Sequence, residues 1–433
     1  MPRAANARWQ VVRAELGQGS AEAGSTWWRA TSSAAVPCAV HSPTPAIATA
    51  GARSFDDGTF APMWLSPGKL PHVLAPSCYH EAAFYTRERA ALFEGGWHCV
   101  TTRAALAAPG DFVTLELLDQ PMIVRNCAGE LRAFQNVCAH RHALLTSEPC
   151  GHSERMRCQY HGWEYDADGR SVRIPDAGSF VPLHRGVYAL RRLRAATCGQ
   201  LVFVSLADHG PSLRAALGEP TYQLVEQQFS DDFQLTAAWT TDHAANWKVP
   251  VENALESYHV PEVHPNTFRT LSKARDATHT IAASYTALHN VKPPAGLLLR
   301  WISERWRRSP SATYAHHHAF PNLLIAHTDI SSLAQLVVPT SPTTSRSFVF
   351  CFVHRGEGRR PLHRALGPLV GALVERYTRE VLREDDRVFA AIQRGLTASD
   401  HAGVLSAREE RVHAFQCYVA AQVAEAAARS AVP

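Results

Sequence analysis

The sequence predicts an α+β protein in which an all-β unit, residues 97–205, is followed by a mixed unit that ends in helix. Three observations carry that expectation. Short apolar runs separated by Gly, Pro and Asp turns crowd into 97–205. Helix-like spacing flanks this unit, at Glu81–Cys99 before it and around 245–259 after it. Strands around 282–300 and 311–353 then give way to a helical tail from Pro361. With 433 residues, 46% of them apolar and 19% charged, the chain has globular composition and length for two or three domains.

Taken in order, residues 1–60 are rich in Ala, Ser, Pro and Gly (PTPAIATAGA), which predicts a low-complexity extension, disordered or only loosely attached. Residues 61–96 hold one helix, since Phe84, Glu88, Leu92 and Phe93 recur at helical intervals and Gly95-Gly96 ends the turn. In the all-β unit, Phe112–Leu118, Pro121–Arg125, Leu131–Phe134 and Gly199–Ser205 read as strands, with turns at Pro109-Gly110-Asp111, Ala128-Gly129-Glu130 and Asp166–Gly169. Residues 206–433 form the mixed unit. Its apolar stretch Arg364–Val374 is interrupted by Gly367, Pro368 and Gly371, which predicts a broken, packed core segment.

Bulk properties exclude several function classes. A net charge of +4 without a dense Lys/Arg block argues against a nucleic-acid partner. No run of eighteen apolar residues and no apolar leader region is present, so no membrane association is expected. Ten scattered cysteines suit reduced thiols in a cytoplasmic protein rather than a disulfide scaffold.

The chemistry concentrates in two places. Cys138-Ala-His140 is followed, after seventeen residues, by Cys158-Gln-Tyr-His161. Two loops that each offer a thiolate and an imidazole suit a Rieske [2Fe–2S] cluster, with the cysteines on one iron and the histidines on the other. The same ligand types suit a structural Cys2His2 zinc site, the alternative reading. Cys150-Gly-His152 is a decoy, because only five residues would separate it from Cys158.

About a hundred residues on, Glu252, Glu256 and His259 stand at i, i+4 and i+7, which predicts one helix presenting all three on one face. Pro261 and Pro265 would then break the helix and bring His264 to the same metal. Two histidines and a carboxylate make the facial triad of a non-haem Fe(II) oxygenase, leaving positions open for O₂. Tyr314–His318 carries three consecutive histidines, which alternate faces on a strand and do not converge on one ion; His316, His318 and Phe320 share a face and are expected at the substrate pocket.

Asn136-Val-Cys-Ala-His-Arg141, Cys158-Gln-Tyr-His-Gly-Trp163 and the following Tyr165–Gly169 resemble the motif of the Rieske non-haem iron oxygenases, and the resemblance runs from about Leu70 to residue 420. It implies an all-β Rieske domain inserted in a catalytic domain, whose antiparallel sheet is flanked by helices in the helix-grip, StAR-related manner. It implies a [2Fe–2S] cluster on Cys138, His140, Cys158 and His161, and a mononuclear Fe(II) on His259, His264 and a carboxylate from Glu384-Asp385-Asp386. Asp385 is the implied ligand and Asp386 the alternate, with Glu384 left to an exposed helix face. Glu256 would be catalytic, bridging between an iron histidine and a neighbouring subunit's cluster histidine in a homotrimer. Glu at that position, Asn246-Trp-Lys248 and Glu252-Asn253 are similar to the choline, betaine and carnitine branch, with Asn246 and Lys248 read as structural hydrogen-bonders. The implied activity is monooxygenation of a small organic substrate, as C–H hydroxylation or oxidative N- or O-demethylation. Arene cis-dihydroxylation is the alternative, and an electron-transfer protein without oxygenase chemistry the alternative from another class. The sequence lacks a G-x-G-x-x-G after a strand, so NAD(P)H would act through a separate ferredoxin or flavin reductase.

Overall fold

The structure, a computed structural model, describes residues 70–181, 187–267, 277–290, 297–307 and 314–430, together with a two-residue strand at Gln10–Val11. That strand, β1, runs parallel to Trp239–Thr240; the rest of the 1–60 extension, with the expectation of its disorder, lies outside the described residues.

Helix α1 (Ala82–Leu92) leads into an all-β unit: β2 (His98–Thr102), β3 (Asp111–Leu117), β4 (Gln120–Cys127), β5 (Glu130–Gln135), β6 (Cys150–His152), β7 (Met156–Arg157), β8 (Glu164–Tyr165), β9 (Ser171–Arg173), β10 (Arg192–Cys198) and β11 (Leu201–Ser205). These pair as a seven-stranded sheet in the order β2-β11-β10-β5-β4-β3-β6 and a three-stranded sheet β7-β8-β9. Helices α2 (Leu213–Leu217) and α3 (Glu219–Gln228) connect this unit to β12 (Phe233–His243). Next come α4 (Lys248–Leu255), α5 (Val260–Val263), β13 (Ala277–Ala282), β14 (Tyr285–Asn290), α6 (Leu297–Trp306), β15 (Tyr314–Ala319), β16 (Leu323–His327), β17 (Ser331–Ser341) and β18 (Thr344–His354). The chain closes with α7 (Pro361–Ala398) and α8 (Glu410–Ser430).

The second large sheet has the order β1-β12-β18-β17-β16-β15-β14-β13, antiparallel at every pairing except β1 with β12. The result is an α+β fold: an all-β insert and a helix-flanked antiparallel sheet. Both sheets share one core, from Leu74 and Phe84 through Val202 and Phe203 to Phe350 and Phe415. Among the described residues no helix is long and apolar enough to cross a membrane.

Three local expectations are corrected. The helix expected over 245–259 stops at Leu255, because Glu256 takes an extended conformation (φ −129°, ψ 169°). The strand expected to reach residue 300 ends at Asn290, and α6 starts at Leu297; its Ile302 and Trp306, one turn apart, are buried against Val353, Val370 and Val374. The break expected in 364–374 is absent, since α7 runs through Pro368 as one helix of 38 residues, about 57 Å. Packing on the sheet overrides propensity there. Gly371 serves close approach, for a Cβ on it would lie 2.7 Å from the Thr236 methyl.

Candidate metal centres

The two cluster loops are built alike. The Cys138 amide donates to Ala143 O at 2.8 Å and the His142 amide returns to Cys138 O at 3.1 Å. In the second loop Cys158 N donates to Trp163 O at 2.8 Å and Gly162 N to Cys158 O at 3.1 Å. Gly162, at φ +70°, makes the left-handed turn that this closure needs. Gln159 N donating to Leu145 O ties one loop to the other.

Both cysteines are buried, His140 is half-buried and His161 is exposed. The imidazoles of His140 and His161 meet with centroids 4.7 Å apart, and Trp163 stacks on His140 at 5.0 Å. The Tyr165 hydroxyl lies 3.0 Å from Cys138 Sγ and accepts the Ala139 amide. Burial pushes the Cys138 thiol up and the His140 imidazole down. Nδ1 of His140 is buried without a hydrogen-bond partner, which suits a nitrogen that ligates a metal.

These features fit a two-iron cluster better than one zinc ion. A tetrahedral zinc holds its four donors within about 4 Å of one another. Yet among the described residues the only three metal-type side chains with donor atoms within 4.8 Å of each other are His259, His264 and Asp385. The decoy pair lies elsewhere: Cys150 and His152 are in β6, where His152 Nδ1 is 3.0 Å from Asp111.

At this second centre His259 Nε2 and His264 Nε2 are 3.3 Å apart, and Asp385 Oδ1 is 3.1 Å from the latter and 3.5 Å from the former. Metal bonds of about 2.1 Å at right angles place neighbouring donors about 3 Å apart. The triangle therefore suits one face of an octahedron and leaves the opposite face open. Asp386, the alternate, points away and accepts from His243 Nδ1 at 2.6 Å.

The carboxylates around the triad orient its imidazoles. Glu256 Oε1 accepts from His259 Nδ1 at 2.5 Å, while its other oxygen caps the amides of Tyr258 and His259. The one-face helix is thus replaced by an extended Glu256 with His259 at the entry to α5, yet the two side chains still meet. Glu384 Oε2 lies 3.0 Å from His264 Nδ1, and the carboxylate accepts from Thr267 Oγ1 and Asn266 N. Burial raises the cost of charge on Glu384, but the bonds from Thr267 and His264 outweigh it and hold its carboxyl below the usual range. Asn253 Nδ2 donates to Asp385 Oδ1 at 2.8 Å.

Glu384 is the residue that sequence reasoning missed. It is 1% exposed rather than part of a solvated face. The available signal was its position one residue before a candidate ligand on a helix that also buries Asp385 and Phe389.

Glu252 does not join the triad; it accepts from Tyr79 Oη at 2.5 Å and from Gln416 Nε2 at 3.0 Å. Lys248 and Trp247 both donate to the buried Glu88 carboxylate, at 2.6 and 2.8 Å, which fixes the start of α4 against α1. Asn246 donates to Pro342 O and accepts Lys248 N, a structural role. On β15, His318 is fully buried on Phe320 and Phe415, whereas His316 meets Arg411. His317 faces the other way, with Nε2 3.0 Å from His327.

Comparison with known proteins adds findings of three kinds. Residues 96–190 match the family model of the Rieske [2Fe-2S] domain, and residues 230–425 match that of the ring hydroxylating alpha subunit catalytic domain. The chain is 31% identical over 207 residues to the glycine betaine monooxygenase oxygenase subunit of Chromohalobacter salexigens, a match covering 47% of this chain and 46% of that protein. It is 27% identical over 339 residues to the carnitine monooxygenase oxygenase subunit of Escherichia coli, covering 74% and 85%. The alignments thus span about half the length of the glycine betaine relatives and more of the carnitine one. In fold, a quaternary ammonium Rieske monooxygenase solved with L-carnitine superposes with a TM-score of 0.66 at 20% identity, covering 82% of this chain and 95% of that one.

Proposed function

The chain belongs to the Rieske non-haem iron oxygenases of the alpha-subunit type, close to their betaine and carnitine monooxygenase branch, and from that premise we propose that it is the oxygenase component of a monooxygenase acting on a small organic substrate. The observation that carries this reading is the triangle of His259, His264 and Asp385 in the same chain as the paired Cys/His loops. Its catalytic sheet is read as the helix-grip, StAR-related type.

Cys138, His140, Cys158 and His161 would hold the cluster, and His259, His264 and Asp385 the iron. When bound, the first group supplies electrons one at a time and the second supplies open positions for O₂.

The protein's own residues prepare that chemistry. Glu256 and Glu384 accept the Nδ1 protons of His259 and His264, which leaves both Nε2 lone pairs turned inward and the rings fixed. Asn253 fixes one oxygen of Asp385. Tyr165 sits on the Cys138 sulphur, where its O–H stabilises added negative charge. Exposed His161 is available to a neighbouring copy. In our reading it donates to that copy's Glu256, and such head-to-tail contacts close into a homotrimer. Electrons come from NAD(P)H through a separate ferredoxin or flavin reductase. The favoured reaction is oxidative N-demethylation or C–H hydroxylation.

The test is turnover of the holoprotein with a flavin reductase, NADH and ¹⁸O₂, using glycine betaine and carnitine as first substrates. One labelled oxygen per product, or formaldehyde released in step with NADH oxidation, supports the reading. Two labelled oxygens in one arene product would make the enzyme a dioxygenase. Cluster reduction without O₂ consumption over a broad substrate panel would leave only an electron carrier.

A further inference from the structure

Arg411, the second residue of α8, is 1% exposed, with its guanidinium set against the inner face of the large sheet. Its Nε donates to Thr286 Oγ1 at 3.1 Å, and Nη2 donates to His316 Nδ1 at 3.2 Å and to His316 O at 3.3 Å. Every one of these acceptors is neutral. Among the described residues no carboxylate pairs with the guanidinium and Nη1 makes no hydrogen bond; the adjacent Glu410 turns instead to His279, 2.7 Å from its Nδ1. A buried cation without a carboxylate against it is costly, and burial lowers the Arg411 pKa only to about 10, so it stays charged at neutral pH.

The position of this charge relates it to the triad. Tyr314, His316 and His318 alternate on β15 and present one face to α8. Tyr314 interacts electrostatically with both Arg411 and Asp385. Tyr314 and His316 are each only half-buried. The guanidinium has donors only, so His316 Nδ1 must accept from it. A neutral His316 then carries its proton on Nε2 and offers a second donor. Burial, reinforced by the nearby Arg411, holds His316 well below its ordinary pKa and keeps it neutral.

We propose that Arg411, with His316, forms an anion subsite that seats a carboxylate of the substrate, directing the rest of the molecule past Tyr314 toward His259, His264 and Asp385. The substrate class is a small organic carboxylate. This assignment rests on the oxygenase reading for its purpose, but not for its test. The plain alternative is a clamp that only ties α8 to β14 and β15.

The experiment is anaerobic calorimetric titration of the purified holoprotein with two matched pairs, glycine betaine against choline and benzoate against benzamide. In the wild type the carboxylate of at least one pair binds more tightly than its carboxylate-free partner by about tenfold or more, as a charge-assisted hydrogen bond implies. Arg411→Gln abolishes that preference while cluster absorption and iron content persist, and Arg411→Lys restores part of it. No carboxylate preference in the wild type overturns the subsite whatever the variants do, as does an Arg411→Gln variant that keeps the preference. Carboxylate-selective binding without O₂ uptake in the reductase assay would uphold the subsite and defeat the oxygenase reading. Turnover of carboxylate-free substrates, indifferent to Arg411→Gln, would do the reverse.

Discussion

The Glu384 carboxylate stands 3.0 Å from His264 Nδ1, and both side chains are almost wholly buried. A ligand imidazole held this way has a fixed tautomer and a more basic Nε2. Glu384→Gln should therefore weaken iron binding about 10–100-fold with cluster absorption unchanged. Iron content after dialysis against a graded chelator series measures this; a variant that retains iron like the wild type would reduce Glu384 to a packing role.

Asp385 and Asp386 are adjacent but face different partners, the first His259 and His264, the second His243. Asp385→Ala should remove the mononuclear iron and abolish turnover. Asp386→Ala should keep the iron and lose stability, because it strands buried His243 without its acceptor. Metal analysis of the two variants separates them, and the opposite pattern would transfer the ligand role to Asp386.

Those outcomes bear on what the sequence made legible. The Cys/His spacing announced the cluster loops because their ligands are local, and His259 and His264 were legible for the same reason. Asp385 was not local: α7 delivers it from 121 residues beyond His264, so only the family resemblance reached it. Periodicity gave the wrong conformation for Glu256, since i, i+4, i+7 spacing says nothing about a helix that ends at Leu255. Glu384 was misread because a run of acids looks solvated until the helix face beneath it is known. Pro368 and Gly371 looked like breaks because the sheet that α7 packs on is invisible in the local sequence.

Glu252 gives a pH signature. Burial raises its carboxyl to about 7 against the hydrogen bonds from Tyr79 and Gln416. Between about 4.5 and 7 the native protein holds a proton there that the unfolded chain has released, so this group's contribution to stability falls as pH rises through that window. Glu252→Gln cannot titrate and should flatten that part of the curve. Chemical denaturation of both proteins at pH 5 and pH 8 checks the difference; parallel curves would mean that Glu252 is ionised throughout.

Glu256 tests the proposed assembly. Chains carrying Cys138→Ser lack the cluster and chains carrying His259→Ala lack the iron, so each alone should be inactive. Co-expressed and purified as mixed trimers, they should recover activity, because one copy's loops serve the next copy's triad. A further Glu256→Gln change in the Cys138→Ser chain, the one that keeps its iron, should cancel the recovery. Mixed assemblies as inactive as their parents would confine both centres to one chain.

The central claim is that one chain carries two distinct iron centres, a two-iron cluster between the Cys138 and Cys158 loops and a single iron at the His259 triad. Iron and acid-labile sulfide analysis of anaerobically reconstituted protein, wild type beside His259→Ala, tests it most directly. The account predicts two sulfides and three irons per chain in the wild type, and two of each in the variant with unchanged Rieske absorption. Zinc in the loops without sulfide, or an iron content that His259→Ala leaves untouched, would contradict it.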